Sequence, residues 1–254
     1  MKSLVLAVVA VTLLAGVSPG AQSPREITLL APGPIRETLD HLVAGFEART
    51  GIRVRVTYGS GVGTRKTVAS GQAADVSLLF APFPEALETG NIVRESATVV
   101  ARLRLAVAVK KGAPKPDIST AAAARRTLLN AASIASVDPA QGSVGGAALL
   151  ALDKMGIAGQ VRPKIKWVAT GGVVQDLVAK GEIDMALGPY LNDMRNPGLD
   201  VVGALPPEAA TPVDITGFLS TGVTDPKAAR ALLDYLASRD AAPAYEAAKM
   251  FPVR

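Results

Sequence analysis

The chain carries few of the side chains that perform covalent or metal chemistry. Its 254 residues include one His, His41, and no Cys. Zinc sites draw on His and Cys and thiol nucleophiles require Cys, so both chemistries are excluded in practice. A serine nucleophile would need His41 beside it, and nothing in the spacing of Ser60 supports that pairing. His41 falls on the helical face opposite Leu42 and Phe46, which reads as a solvated surface position. Asp75 and Asp184 each precede a buried apolar run, so they read as loop anchors or caps instead of an acid/base pair.

What recurs instead is glycine before helices. The segments Ala31-Pro32-Gly33-Pro34, 59–64, 138–146 and Thr170-Gly171-Gly172 are each Gly-rich and each lead into a helical pattern. The first N–H groups of a helix lack intrahelical partners and carry the positive end of its dipole, so several such ends in one crevice form an anion site. Glycine lets the backbone approach a ligand closely. One such loop is an ordinary turn; the inference rests on all of them following strands, where open α/β sheets bind ligands.

The elements that must position these loops alternate along the chain. Residues 27–31 form an apolar strand, and Pro34 opens a helix with Ile35, Leu39, Leu42, Val43 and Phe46 at three- and four-residue steps. A strand follows over 52–56, a helix over 64–70 closed by Gly71, and a buried strand over 76–80. Residues 103–109 form a further strand, with a crossing between lobes expected just after it. Strands near 133–137, 166–168 and 185–187 alternate with helices over 144–154 and 173–180. The segment 206–212 is an irregular connector, 215–221 a return strand, and 226–238 and 241–249 terminal helices. Repeated βα units place parallel-rich sheets between helices, an α/β fold. No internal repeat is visible.

Composition adds limits. The net charge of +5 suits an anionic ligand or an ordinary soluble surface. Lys and Arg are dispersed and not interleaved with aromatics, so no nucleic-acid partner is expected. One Trp and four Tyr supply a sugar-stacking site poorly, and Trp167 reads as core. Residues 1–23 combine Lys2, an apolar run and small residues, the pattern of a secretory signal cleaved between Gly20 and Pro24. The run is shorter than the roughly 20 residues a bilayer needs. A periplasmic protein is therefore expected.

The phrases "AGFEARTGIRVRVTYGSG", "VASGQAADVSLLF", "VDPAQGSVGGAALLALDKMGI", "LVAKGEIDMALGPY" and "ARALLDYLASRDAAPAYEAAKMF" occur in this order. In order and spacing the chain resembles the periplasmic molybdate-binding proteins and their wider relatives, the type II extracellular solute-binding proteins. The resemblance implies a first lobe from residues 24–105 with 214–254, a second from 106–213, and a cleft that closes on ligand. It implies delivery of a small anion to the membrane permease of an ABC importer; no enzymatic activity, no cofactor and a monomer are expected. Carried over by position, the ligand contacts fall at Gly33, Ser60, Gly61, Ser143, Gly145, Gly172, Val173 and Tyr190.

Departures from the family pattern leave the ligand open. Gly33 replaces a serine and Pro34 lacks an N–H. Gly61, Val62 and Gly63 stand where molybdate binders run serines. Arg65 is expected in the first turn of the following helix, where a cation opposes the dipole. It either pairs with a ligand or reaches solvent or a surface carboxylate. The expected ligand is a molybdate-like oxyanion, with an organic di- or tricarboxylate as the alternative; a periplasmic sensor role is the alternative to transport.

Overall fold

A computed structural model describes residues 25–193 and 195–253, so the expected signal segment lies outside the described residues. The strands are β1 (Glu26–Pro32), β2 (Arg53–Gly59), β3 (Val76–Phe80), β4 (Ile92–Leu103), β5 (Leu105–Lys110), β6 (Ile134–Val137), β7 (Ile165–Val168), β8 (Met185–Pro189), β9 (Leu199–Ala204), β10 (Val213–Ser220) and β11 (Phe251–Pro252). The helices are α1 (Arg36–Thr50), α2 (Gly61–Ala69), α3 (Pro84–Leu87), α4 (Ala121–Asn130), α5 (Ser143–Lys154), α6 (Ala158–Val161), α7 (Gly171–Lys180), α8 (Tyr190–Asp193), α9 (Pro226–Leu236) and α10 (Ala242–Ala247).

Two sheets organise two lobes. The first has the order β11-β4-β10-β3-β1-β2 and the second β7-β6-β8-β5-β9. In each, the strand next to one edge is flanked by parallel partners: β1 by β2 and β3, β6 by β7 and β8. The other pairings are antiparallel, with β10 against β3 and β4, β11 against β4, and β5 against β8 and β9. The sheets are thus mixed, where a parallel-rich arrangement was expected; parallel pairing is confined to the side bearing the glycine-rich loops.

Burial follows the sequence pattern. All five residues of β3 are buried, as expected for an apolar run covered on both faces. One face of the first sheet packs Val76, Leu78 and Phe80 against α1 and α9, through Leu39, Phe46, Leu232 and Leu236. On the other face Leu79 and Phe218 meet Val68 of α2 and Ala86 of α3. The second sheet is covered by α5 on one side and α7 on the other. Each fully buried Leu or Phe contributes roughly 1.5–3 kcal/mol by leaving water.

Two aspartates set the strands that carry the site. Asp75, before β3, accepts from the Thr28 amide and hydroxyl at 2.8 Å each. Asp184, before β8, accepts from the Ala132 and Ser133 amides at 3.0 Å each. Asp184 thus anchors a loop, and Asp75 ties β1 and, through the Thr224 amide at 3.3 Å, the loop after residue 220. One expectation fails: the chain changes sheets at Arg104, between β4 and β5, and not after residue 109. The strand β4 was not foreseen because its burial alternates irregularly and its pairing with β10 is interrupted by register shifts.

Candidate functional site

A cavity of about 260 Å³ lies between the lobes, walled by Gly33, Pro34, Gly59, Ser60, Gly61 and Phe80 on the first and by Val137, Gln141, Gly142, Ser143, Val144, Ala169, Thr170, Gly171 and Pro189 on the second. No lining residue is ionisable. A larger, more open hollow of about 590 Å³ lies between α1 and α10 and includes the exposed His41. Its lining, which includes Glu37 and Arg195, holds none of the glycine-rich strand-to-helix loops, so the interlobe cavity is the candidate site.

Three helices of nine or more residues start at this cavity: α2 at Gly61, α5 at Ser143 and α7 at Gly171. Ser60 caps α2, its Oγ accepting from the Gly63 amide at 2.8 Å. Thr170 caps α7 in the same way, its Oγ1 accepting from the Val173 amide at 3.4 Å. Gly142 caps α5 without a side-chain bond, and the Gly145 amide turns back to the Gly142 carbonyl at 3.1 Å. Each third amide is therefore engaged. The amides of Gly61 and Val62, Ser143 and Val144, and Gly171 and Gly172 have no protein acceptor among the described residues. Each helix start carries roughly +0.5 elementary charge, so together they match about one and a half negative charges without a cationic side chain.

The hydroxyls are directed by the same bonds. An oxygen that accepts from a protein donor keeps its own proton for another acceptor. Ser60 and Thr170 accept from amides, and Ser143 Oγ accepts from Arg65 Nη1 at 2.5 Å. All three can donate to an anion between the lobes. The first-lobe wall is braced behind them by Tyr58, whose hydroxyl donates to Asp40 Oδ1 at 2.5 Å while the Arg36 guanidinium stacks 4.0 Å from its ring centre. Burial, then the bond to Asp40, pushes the Tyr58 hydroxyl above its usual range, so it stays a neutral donor.

The structure brings Gly33, Ser60, Gly61 and Ser143 to the cavity wall. Gly172 and Val173 follow the lining Gly171, with the Val173 amide held by its cap and the residue 43% exposed. Tyr190 opens α8 one residue after the lining Pro189, its amide donating to the Arg104 carbonyl at 3.0 Å. Gly145 is placed differently from expectation. A Cβ there would stand 2.0 Å from the Val137 carbonyl oxygen, so this glycine lets α5 lie on β6 and its amide is already bonded. Arg65 also differs. The helix begins at Gly61, which puts Arg65 in the second turn, 9% exposed, with Nε on Glu85 Oε1 at 2.7 Å. It stands behind the wall instead of in it.

Sequence reasoning marked the loops that hold Thr170, Gln141 and Pro34 without naming these residues as contacts, and it missed Phe80 and Pro189. Thr170 had a legible signal, a hydroxyl residue immediately before the helix. Phe80 had none, because an apolar residue ending a buried strand looks like core.

These features can be set beside known proteins. Residues 27–248 match the family described as bacterial extracellular solute-binding protein. An aconitate isomerase from a Pseudomonas species is 31% identical, over 92% of this chain and 90% of that protein. The fold superposes on the substrate-binding domain of a putative molybdenum ABC transporter from Clostridium difficile with a TM-score of 0.75 at 14% identity, covering 90% of this chain and 99% of that one. The Azotobacter vinelandii periplasmic molybdate-binding protein gives a TM-score of 0.69 at 17% identity, covering 90% and 100%. With two mixed-sheet lobes, a cleft formed by helix N-termini and a family match spanning nearly all of the described residues, the chain belongs to the bacterial extracellular solute-binding proteins.

Proposed function

We propose that the cleft captures a small organic di- or tricarboxylate, and that the protein presents it to the permease of an ABC-type importer. The observation that carries the ligand class is the composition of the cavity wall. Open amides and three hydroxyls face the cleft from both lobes, while Phe80, Val137, Val144, Pro34 and Pro189 supply apolar surface between them. A carboxylic acid uses both, with its charges on the helix ends and its carbon skeleton on the apolar wall. A molybdate-like oxyanion, the expectation from resemblance, uses only the amides and hydroxyls.

The aconitate isomerase relative favours the carboxylate class and also supports a second reading, in which this chain isomerises such an acid. The cavity wall weighs toward capture. None of its residues is an Asp, Glu, His or Lys placed to move a proton. Export belongs to the same proposal: mature protein from its host is expected to begin between Ala21 and Pro24.

Thermal unfolding with trans-aconitate, cis-aconitate, citrate, molybdate, sulfate and phosphate tests the ligand class. A compound at a hundred times its Kd raises stability by about 2.7 kcal/mol. Stabilisation by carboxylates alone supports the proposal, and stabilisation by molybdate alone returns the oxyanion reading. Proton NMR of trans-aconitate incubated with a small molar fraction of protein separates the roles. An unchanged cis/trans ratio is expected for capture, and a drift toward equilibrium would establish the isomerase.

A further inference from the structure

Arg65 and Ser143 belong to different lobes and lie 78 residues apart in sequence, yet their side chains meet at 2.5 Å. Both are nearly excluded from solvent, at 9% and 5% exposure. Nη1 of Arg65 also donates to the Pro82 carbonyl at 2.9 Å, with the Phe80 carbonyl more distant at 3.5 Å. Its two hydrogens are accounted for by Pro82 and Ser143. A guanidinium has no acceptor, so Ser143 Oγ must be the acceptor in this bond, and the serine proton must point elsewhere. No protein acceptor for that proton is found among the described residues, and Ser143 lines the cavity.

The charge arrangement agrees. Arg65 Nε is paired with Glu85, whose side chain is 38% exposed, so the pair adds little net charge to the site. It adds direction, with the cationic end against Ser143 and the carboxylate end toward solvent. This resolves the cation on a short helix facing the cleft: Glu85 offsets its charge and Ser143 takes its second bond.

We propose that Arg65 is a positioning residue that acts through Ser143. By occupying the lone pair of the hydroxyl across the cleft, it commits the Ser143 proton to the bound anion, and the bond forms only when the lobes are together. The proposal rests on the anion-capture reading of the cleft.

The test is a double-mutant cycle on Arg65→Ala and Ser143→Ala, read twice. In ligand-free protein, urea unfolding of the two single variants and the double variant measures the contact itself. Non-additive losses are expected, and additive losses would overturn the proposal. Calorimetry with trans-aconitate, and in parallel with molybdate, then reads the role. Each single variant is expected to weaken binding of the anion that wild type takes by roughly tenfold or more, the range for a hydrogen bond to a charged group. Arg65→Ala placed in the Ser143→Ala background is expected to change it by less than about twofold. Equal effects of Arg65→Ala with and without Ser143 would overturn the role.

Glu85→Gln provides a readout that a merely structural arginine would not pass. It leaves the Ser143 bond and removes a negative charge, so anion affinity is expected to hold or tighten. Weakening comparable to Arg65→Ala would show that the ion pair only supports the fold, and would sink the proposal. A wild-type protein that bound neither anion would reject the capture reading and this role with it. That failure is distinguishable, because coupling in ligand-free protein would still be measured.

Discussion

In the first lobe the chain winds β1, α1, β2, α2 and β3 into the strand order β3-β1-β2. In the second it winds β6, α5, β7, α7 and β8 into β8-β6-β7. The last helix of each unit has a hydroxyl cap, Ser60 or Thr170, holding its third amide. Each unit also carries an aspartate before its last strand that accepts from a loop amide, Asp75 from Thr224 and Asp184 from Ala132. They part at the first helix. In the second lobe α5 starts directly at the cleft, with open amides at Ser143 and Val144. In the first lobe a 3-10 turn, Gly33–Ile35, precedes α1 and its Pro34 has no N–H. Two halves of equivalent topology thus supply unequal numbers of open amides to the cleft, and the second supplies more. The first lobe instead has Arg65, which strengthens a donor of its partner.

The largest effect that would sharpen this contrast is at Gly145. Gly145→Val places side-chain atoms on the Val137 carbonyl, where even a Cβ would sit at 2.0 Å. The expected loss is about 3 kcal/mol or more in urea unfolding, from overpacking against backbone. Gly33→Ala meets only an ordinary 3.4 Å contact with the Gly59 carbonyl. It is expected to change stability by no more than about 0.5 kcal/mol. Comparable losses at the two positions would break the distinction between a tightly seated α5 and an open first-lobe turn.

A second expectation concerns pH. The three cleft hydroxyls accept from protein donors and offer protons, so a protonated carboxyl in the cleft meets other donors. Carboxylate affinity should fall as pH drops through about 4, where carboxyls protonate. Calorimetry at neutral pH and at pH near 4 tests this, and unchanged affinity would show that the cleft supplies an acceptor.

The caps should behave alike, with smaller effects. Ser60→Ala and Thr170→Ala each remove the acceptor of a third helical amide, a loss of about 1 kcal/mol in unfolding experiments. Ser60 is expected to cost more, because its bond is 2.8 Å against 3.4 Å for Thr170. The reverse order would point to a heavier structural duty for the second-lobe cap.

The smallest effect is expected at an exposed ion pair between the lobes. Arg195 pairs with Glu37 at 3.2 Å, and their side chains are 41% and 82% exposed. Glu37→Gln should lower stability by less than about 1 kcal/mol, an effect that disappears in 1 M salt. The buried Arg65–Ser143 bond should keep its effect in the same salt. If both contacts responded equally to salt, the contrast between a solvated and a sheltered interlobe contact would fail.

Much of the fold was legible because the apolar periodicity that defines a strand or helix is local. The runs around Val76–Phe80 and Met185–Pro189, each preceded by an aspartate, became central strands of the two sheets. Ser60 and Ser143 reached the cleft wall because a residue at a strand-to-helix junction is placed there by topology alone. Gly145 was named as a contact by position from the resemblance, and the structure sets it in the first turn of α5 on the side that lies against β6. A Cβ on Gly146 would meet nothing within 4 Å, whereas Gly145 lies against backbone.

By itself the sequence determined the α/β alternation, the Gly-rich starts of the cleft helices, and a chain with one His and no Cys. These depend on residue type and on neighbours a few positions away, where periodicity, capping and steric rules act. Only the tertiary structure decided which amides stay open, where β4 yields to β5, and that Arg65 ends on Glu85 and Ser143. A long cation beside a glycine-rich loop can reach solvent, a carboxylate or a ligand with similar local cost. The choice among them was made by the approach of a helix from the other lobe, a long-range contact that no local pattern encodes.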